Sequence, residues 1–161
     1  MNVRHALYPG TFDPVTNGHL DILHRALALF EQVTVAVAQE SRAGLFSCEE
    51  RVAFLKNAVA AWPRCRVVPF NGLLVDELRR REARVVIRGI RSILDLEGER
   101  AQATLNQILN PGCEYVFLMA RPELMAVSST LVRDISRHGG DVTGFTPPVV
   151  AAALAARNGG N

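Results

Sequence analysis

Lysine is almost absent: Lys56 is the only one in 161 residues, against seventeen arginines. Any phosphate held by this chain must therefore be gripped mainly by guanidinium groups, whose planar fork pairs with two oxygens at once. A GC-rich coding sequence, which also favours alanine, accounts for much of the bias. Aromatic residues are scarce, at 6%, and this removes the stacking platform that single-stranded nucleic acids need. A formal net charge of +2 is too small for a polyanion-binding face, so no nucleic-acid partner is expected. No apolar run approaches the roughly 20 residues that cross a bilayer, so no membrane association is expected. The opening MNVRHALYPG has no signal-peptide core, and a cytoplasmic location follows as an expectation. Three cysteines, Cys48, Cys65 and Cys113, match neither a disulfide framework nor a zinc spacing; they predict free, mostly buried thiols. Repeats, linkers and low-complexity stretches are missing too. Residues 1–161 read as one domain with length enough for a proper core.

What is present is a regular alternation. Strands are predicted at Val3–Tyr8, Val33–Ala38, Arg66–Phe70, Arg84–Arg88 (ending in Gly89) and Tyr115–Met119, each a short run rich in Val, Ile or aromatic residues. Between them fall amphipathic segments. The first helix is expected over Asn17–Phe30 behind a Thr16 cap, with Leu20, Leu23, Leu27 and Phe30 on one face. Ser47 and Glu50 form a capping box for a helix over Cys48–Trp62. Asn71-Gly72 is a turn before a helix over Leu73–Glu82, whose Arg79, Arg80 and Arg81 read as an exposed face. A long helix spans Ile93–Leu109 and breaks at Asn110-Pro111-Gly112. Ser128-Ser129 open a helix that reaches His138 and stops at Gly139-Gly140. Pro147-Pro148 start the last helix, Val149–Arg157, before a frayed NGGN tail. The pattern predicts an α/β fold, a single-domain Rossmann-like doubly wound sheet of five parallel strands in the order 3-2-1-4-5. Ligands bind such sheets beyond the strand carboxyl ends, at the switch point between strands one and four.

Two phosphate-binding stretches meet at that point only under this topology. YPGTFDPVTNGH, residues 8–19, follows strand one; it brings Gly10, Thr11, Asn17-Gly18 and the His19 imidazole to the mouth of the sheet, with His19 in the first turn of a helix, where free N–H groups and the helix dipole attract anions. Arg88-Gly89-Ile90-Arg91 follows strand four, and strand-end arginines are better placed for phosphate than the mid-helix Arg79–Arg81. Ser128-Ser129-Thr130 gather hydroxyls at another helix start, where capping and phosphate binding are compatible. No Ser-His-Asp order and no cysteine in a basic loop suggest a covalent intermediate.

The stretch TFDPVTNGH resembles the Thr/His-x-Gly-His signature of the small nucleotidylyltransferases. LFSCEERV, IRGIRSILDLEGE and VSSTLVRD extend the likeness over nearly the whole chain, in the order and spacing of the bacterial phosphopantetheine adenylyltransferase family. The resemblance implies transfer of the adenylyl group of ATP to 4′-phosphopantetheine, giving dephospho-coenzyme A and pyrophosphate by direct attack. It implies His19 as the transition-state stabiliser, with Thr11 and Arg42 beside it in the catalytic set. It implies that Thr11, Arg42, Leu74 and Arg88 hold phosphopantetheine. Thr11, Phe12, His19, Gly89, Ile90, Arg91, Glu99 and the segment Leu124, Met125, Ala126, Val127, Ser128, Ser129 and Thr130 would contact ATP. Mg²⁺ is expected with ATP and no protein-only metal site. A homohexamer and feedback by coenzyme A are further family expectations. Two departures stand out: Arg42 occupies the family's usual lysine position, and Asp95-Leu96-Glu97 replaces Asp-Phe-Glu. A related enzyme acting on nicotinate mononucleotide or glycerol 3-phosphate, or a regulatory nucleotide-binding module without catalysis, are the alternatives the residues leave open.

Overall fold

A computed structural model of the chain describes residues 4–158. The expected strand start at Val3, and all of the expected tail but Asn158, lie outside the described residues. The chain forms β1 (His5–Gly10), α1 (Asn17–Leu29), β2 (Gln32–Ala38), α2 (Cys48–Ala58), β3 (Cys65–Phe70), α3 (Leu74–Arg80), β4 (Val85–Ile90), α4 (Ile93–Leu109), β5 (Glu114–Met119), α5 (Ser129–Arg137) and α6 (Pro148–Asn158). All strand pairs are parallel and the order is β3-β2-β1-β4-β5, with helices on both faces. The central strands are buried on both sides, as their unbroken apolar runs require: Ala6, Leu7, Val33, Val35, Ala36, Val37, Val86 and Ile87 are all closed to solvent.

Differences from the sequence-based boundaries have local causes. β1 continues through Pro9 and Gly10, which align with Ala36 and Val37 of β2. On its other side the pairing with β4 covers only Ala6–Val85 and Leu7–Val86. Pro9 has no N–H to offer a ladder, and the two strands part there. α2 ends at Ala58 rather than Trp62, with Val59 as its cap; the chain tightens there into i→i+3 turns, Ala60 donating to Asn57 and Trp62 to Val59, and Pro63 keeps Trp62 from extending the helix. A short 3₁₀ turn at Pro122–Leu124 was not anticipated. All three cysteines are free, but only Cys113 is buried; Cys48 and Cys65 are half-buried. Arg80 and Arg81 are not merely a solvated face: both pair with the carboxylate of Glu77, whose side chain is sealed from solvent. A buried carboxylate needs such partners.

α4 matches its expected bounds yet buries only Ala103. Ile93 and Ile108 are 78% and 70% exposed, and Leu105 and Leu109 are exposed beside them. Among the described residues no helix is long and apolar enough to cross a membrane.

Candidate active site

The parting of β1 from β4 opens a cleft of about 440 Å³ at the carboxyl end of the sheet. Its floor is the turn after β1. Phe12 has a φ of 50°, a left-handed backbone that non-glycine residues adopt rarely. The ring is buried, edge-on to Tyr8 at 5.4 Å and to His19 at 5.0 Å. Gly10 makes this packing feasible, because a Cβ there would lie 2.9 Å from the Phe12 ring.

Thr16 caps α1, accepting from the His19 amide, and His19 closes the capping box in return. The Thr16 backbone N–H donates to His19 Nδ1 at 3.0 Å. Nδ1 must therefore be unprotonated, and the neutral ring carries its proton on Nε2. Burial, then the nearby charges of Arg91 and Arg88, push the imidazole pKa down to about 4. At neutral pH His19 is an uncharged hydrogen-bond donor on the cleft wall.

β4 delivers Arg88 and Gly89 to the opposite wall. Arg88 Nε donates to Glu99 Oε2 at 2.7 Å, and a second guanidinium nitrogen donates to Oε1 of the same carboxylate. Its NH1 donates to the Pro9 carbonyl at 2.5 Å, bridging the gap where the β1–β4 ladder stops. A Cβ on Gly89 would stand 3.0 Å from Ile22 Cγ1, so glycine lets α1 lie close to the strand end. Arg91 pairs with Asp95 at 3.4 Å and reaches the Val127 carbonyl at 3.4 Å. Each arginine of the cleft thus meets a carboxylate from the first turns of α4.

The third wall is the segment after β5. Asp21 holds Arg121 at 2.9 Å and Arg25 at 3.3 Å, and Arg25 donates to the Met119 carbonyl at 2.6 Å. These contacts tie the start of the segment to α1. Its far end is tied to the β1 turn: Ser129 Oγ donates to the Pro14 carbonyl at 2.7 Å, and Arg133 donates to the Asp13 carbonyl.

Of the expected site residues, Thr11, Phe12, His19, Arg88, Gly89, Arg91, Glu99, Leu124 and Val127 line this cleft. Ile90 does not, its side chain being buried in the core. Met125 and Ala126 are exposed beside the cleft. The Ser128 hydroxyl accepts from the Leu131 amide, and Thr130 Oγ1 accepts from Arg133. Leu74 packs against the cluster formed by Leu7, Leu78 and Val86, and Arg42 is exposed on the loop between β2 and α2; neither lines the cleft.

Two residues that sequence reasoning passed over organise that loop. Asp13 is buried, and its carboxylate accepts from Ser41 Oγ at 2.7 Å and from the amides of Leu45 and Phe46, each at 3.0 Å. Arg51 is 1% exposed. Its guanidinium donates to the carbonyls of Thr11 (2.6 Å), Ala38 (2.8 Å), Gln39 (2.9 Å) and Phe46 (3.2 Å). Only the helical setting of Arg51, with Phe54 and Leu55 facing the core from the same helix, could have hinted at its burial. Among the described residues no cluster of three or more His, Cys, Asp or Glu could hold a metal ion.

The cytidylyltransferase-like family pattern matches residues 7–135, which spans the whole cleft. The chain is similar to the phosphopantetheine adenylyltransferase of Opitutus terrae, at 48% identity over 96% of this chain and 97% of that one. It is similar to the proteins of that name from Syntrophotalea carbinolica, at 44% identity over 96% and 93%, and Azoarcus sp., at 47% identity over 92% of each.

Proposed function

The chain belongs to the phosphopantetheine adenylyltransferases, nucleotidyltransferases of the cytidylyltransferase-like family, and from that membership we propose that it transfers the adenylyl group of ATP to 4′-phosphopantetheine, releasing pyrophosphate and dephospho-coenzyme A in the cytoplasm. The observation that carries this reading is the meeting of His19, Arg88 and Arg91 around one cleft at the β1–β4 switch point. The attacking group is a phosphate oxygen, already ionised at neutral pH. No general base is needed, and positioning with charge stabilisation suffices for in-line displacement. His19 donates its Nε2–H to the α-phosphate, where charge builds, and a donor held in place before the reaction costs nothing to reorganise. Thr11 serves both substrates. Arg91 and Arg42 offset charge on the other phosphates; Arg42 does so by moving in with its loop, since the side chain stands outside the cleft. Arg88 and Leu74 are assigned to phosphopantetheine. Gly89, Ile90 and Glu99, with residues 124–130, are assigned to ATP, Ile90 through its backbone.

Mg²⁺ accompanies the nucleotide in this reading. The cleft carboxylates Glu99 and Asp95 are already engaged by arginines, so the ion would be held mainly by phosphate oxygens and water and would supply charge neutralisation there. The exposed apolar face of α4 supports self-association; six copies are the family's expectation, and coenzyme A, which carries the product's adenylyl-phosphopantetheine unit, is the expected feedback ligand.

Pyrophosphate release, with dephospho-coenzyme A identified by mass, tests the assignment. 4′-Phosphopantetheine should be strongly preferred over nicotinate mononucleotide and glycerol 3-phosphate. ATP binding without pyrophosphate release from any acceptor would overturn it in favour of a regulatory module.

A further inference from the structure

Arg88 is the deepest cation of the cleft, yet it is not free. Glu99 fills the side-on fork of its guanidinium through Nε and one terminal nitrogen, and the Pro9 carbonyl takes a third donor. A guanidinium has five N–H donors, so two remain and its side-on bidentate edge is spent. The side chains are only 26% and 17% exposed, so solvent screens the pair weakly. Arg91 and Asp95 repeat the arrangement more loosely at 3.4 Å. The four ionised side chains of the cleft therefore sum to zero before any ligand arrives. Glu99 rides on α4, whose single buried residue within one copy is Ala103; few packing contacts inside that copy oppose a swing of its carboxylate away from Arg88.

We propose that Glu99 is a specificity-determining counter-ion: its carboxylate competes with anionic ligands for the side-on edge of Arg88, so the cleft rejects small free anions and admits a phosphate only when the rest of a larger ligand supplies the binding energy to displace it. The idea deepens the adenylyltransferase reading by naming what keeps inorganic phosphate and pyrophosphate out of the phosphopantetheine position. An unpaired arginine in a half-closed pocket binds any oxyanion, whereas a paired one exacts a cost that only an extended ligand recovers.

The test is calorimetric titration of the full chain with inorganic phosphate and with pyrophosphate. Glu99→Gln removes the competing charge and keeps the volume; it should bind both anions about tenfold tighter than the wild type, since a like charge within contact distance is lost. Glu99→Ala should show the same gain, and is measured alongside so that a folding defect peculiar to one variant does not decide the result. Arg88→Gln combined with Glu99→Gln should abolish the gain. If neither single variant binds tighter, or both bind more weakly, Glu99 merely orients Arg88 and the proposal falls; it also falls if the gain survives in the double variant. These titrations need no adenylyl acceptor. A failed competition can therefore be told apart from a failed function, which shows instead as a wild-type enzyme that releases no pyrophosphate from ATP and phosphopantetheine.

Discussion

Because the Thr16 amide can only donate, His19 must present a lone pair at Nδ1 and carry its proton on Nε2. His19→Ala should lower kcat by about a hundredfold to a thousandfold, the usual loss for one preorganised donor, while the Kd for ATP changes by less than about tenfold. Single-turnover kinetics beside equilibrium binding separate the two effects. The depressed pKa has a sign that can be checked. Unfolded, His19 takes up its proton near the ordinary imidazole value of 6.5; folded, only near 4. Between those values the unfolded chain binds more protons, so this residue makes stability fall as pH drops from 6.5 towards 4, with no further loss below. Thermal unfolding from pH 4 to 8 should show that slope in the wild type and a shallower one in His19→Asn. Over the upper part of the same range, above about pH 5.5, kcat should show no limb from His19. Gly10→Ala forces a Cβ to 2.9 Å from the Phe12 ring that backs His19, and should lower kcat by about tenfold while lowering the melting temperature by only about 2–4 °C.

α1 and α2 each begin with a reciprocal cap; Ser47 with Glu50 and the Thr16 cap itself were legible because the pattern is local, whereas the return bond from His19 was not, a histidine being no usual capping-box partner. What was not legible is the joint between elements. Arg51 lies in α2, and its partners are four backbone carbonyls from the β1 turn, the end of β2 and the following loop. Carbonyls carry no residue identity, so no spacing in the sequence announces them. Asp13 is similar, gathering two amides and a hydroxyl some 30 positions away. Arg51→Met should destabilise the fold by about 3 kcal/mol or more, since it strands buried carbonyls as well as removing the cation's hydrogen bonds; urea unfolding measures this. Asp13→Asn keeps the size and halves the acceptor capacity. It leaves at least one buried amide unpaired, at a cost of about 1–3 kcal/mol, and should raise KM for the acceptor, as the loop carrying Arg42 loses its fixed base.

At the scale of the whole chain the strand order was readable, because strictly alternating elements with short connections leave few parallel topologies. The cleft was readable as a location but not as an opening. That required the early end of the β1–β4 pairing at Leu7–Val86, a matter of register rather than composition. The flank formed by α4 is apolar surface that a single copy leaves uncovered. Ile93, Leu105, Ile108 and Leu109 lie bare on a helix with one buried residue, and a monomer rarely tolerates so much apolar surface in one place. Leu105→Glu with Ile108→Glu should shift sedimentation towards smaller species. Taken further, the bare flank makes heat resistance a property of the solution as much as of the molecule. If copies shelter one another's α4, tenfold dilution should lower the wild-type melting temperature by some degrees and leave that of the double glutamate variant unmoved, so concentration becomes a thermodynamic variable on a par with temperature.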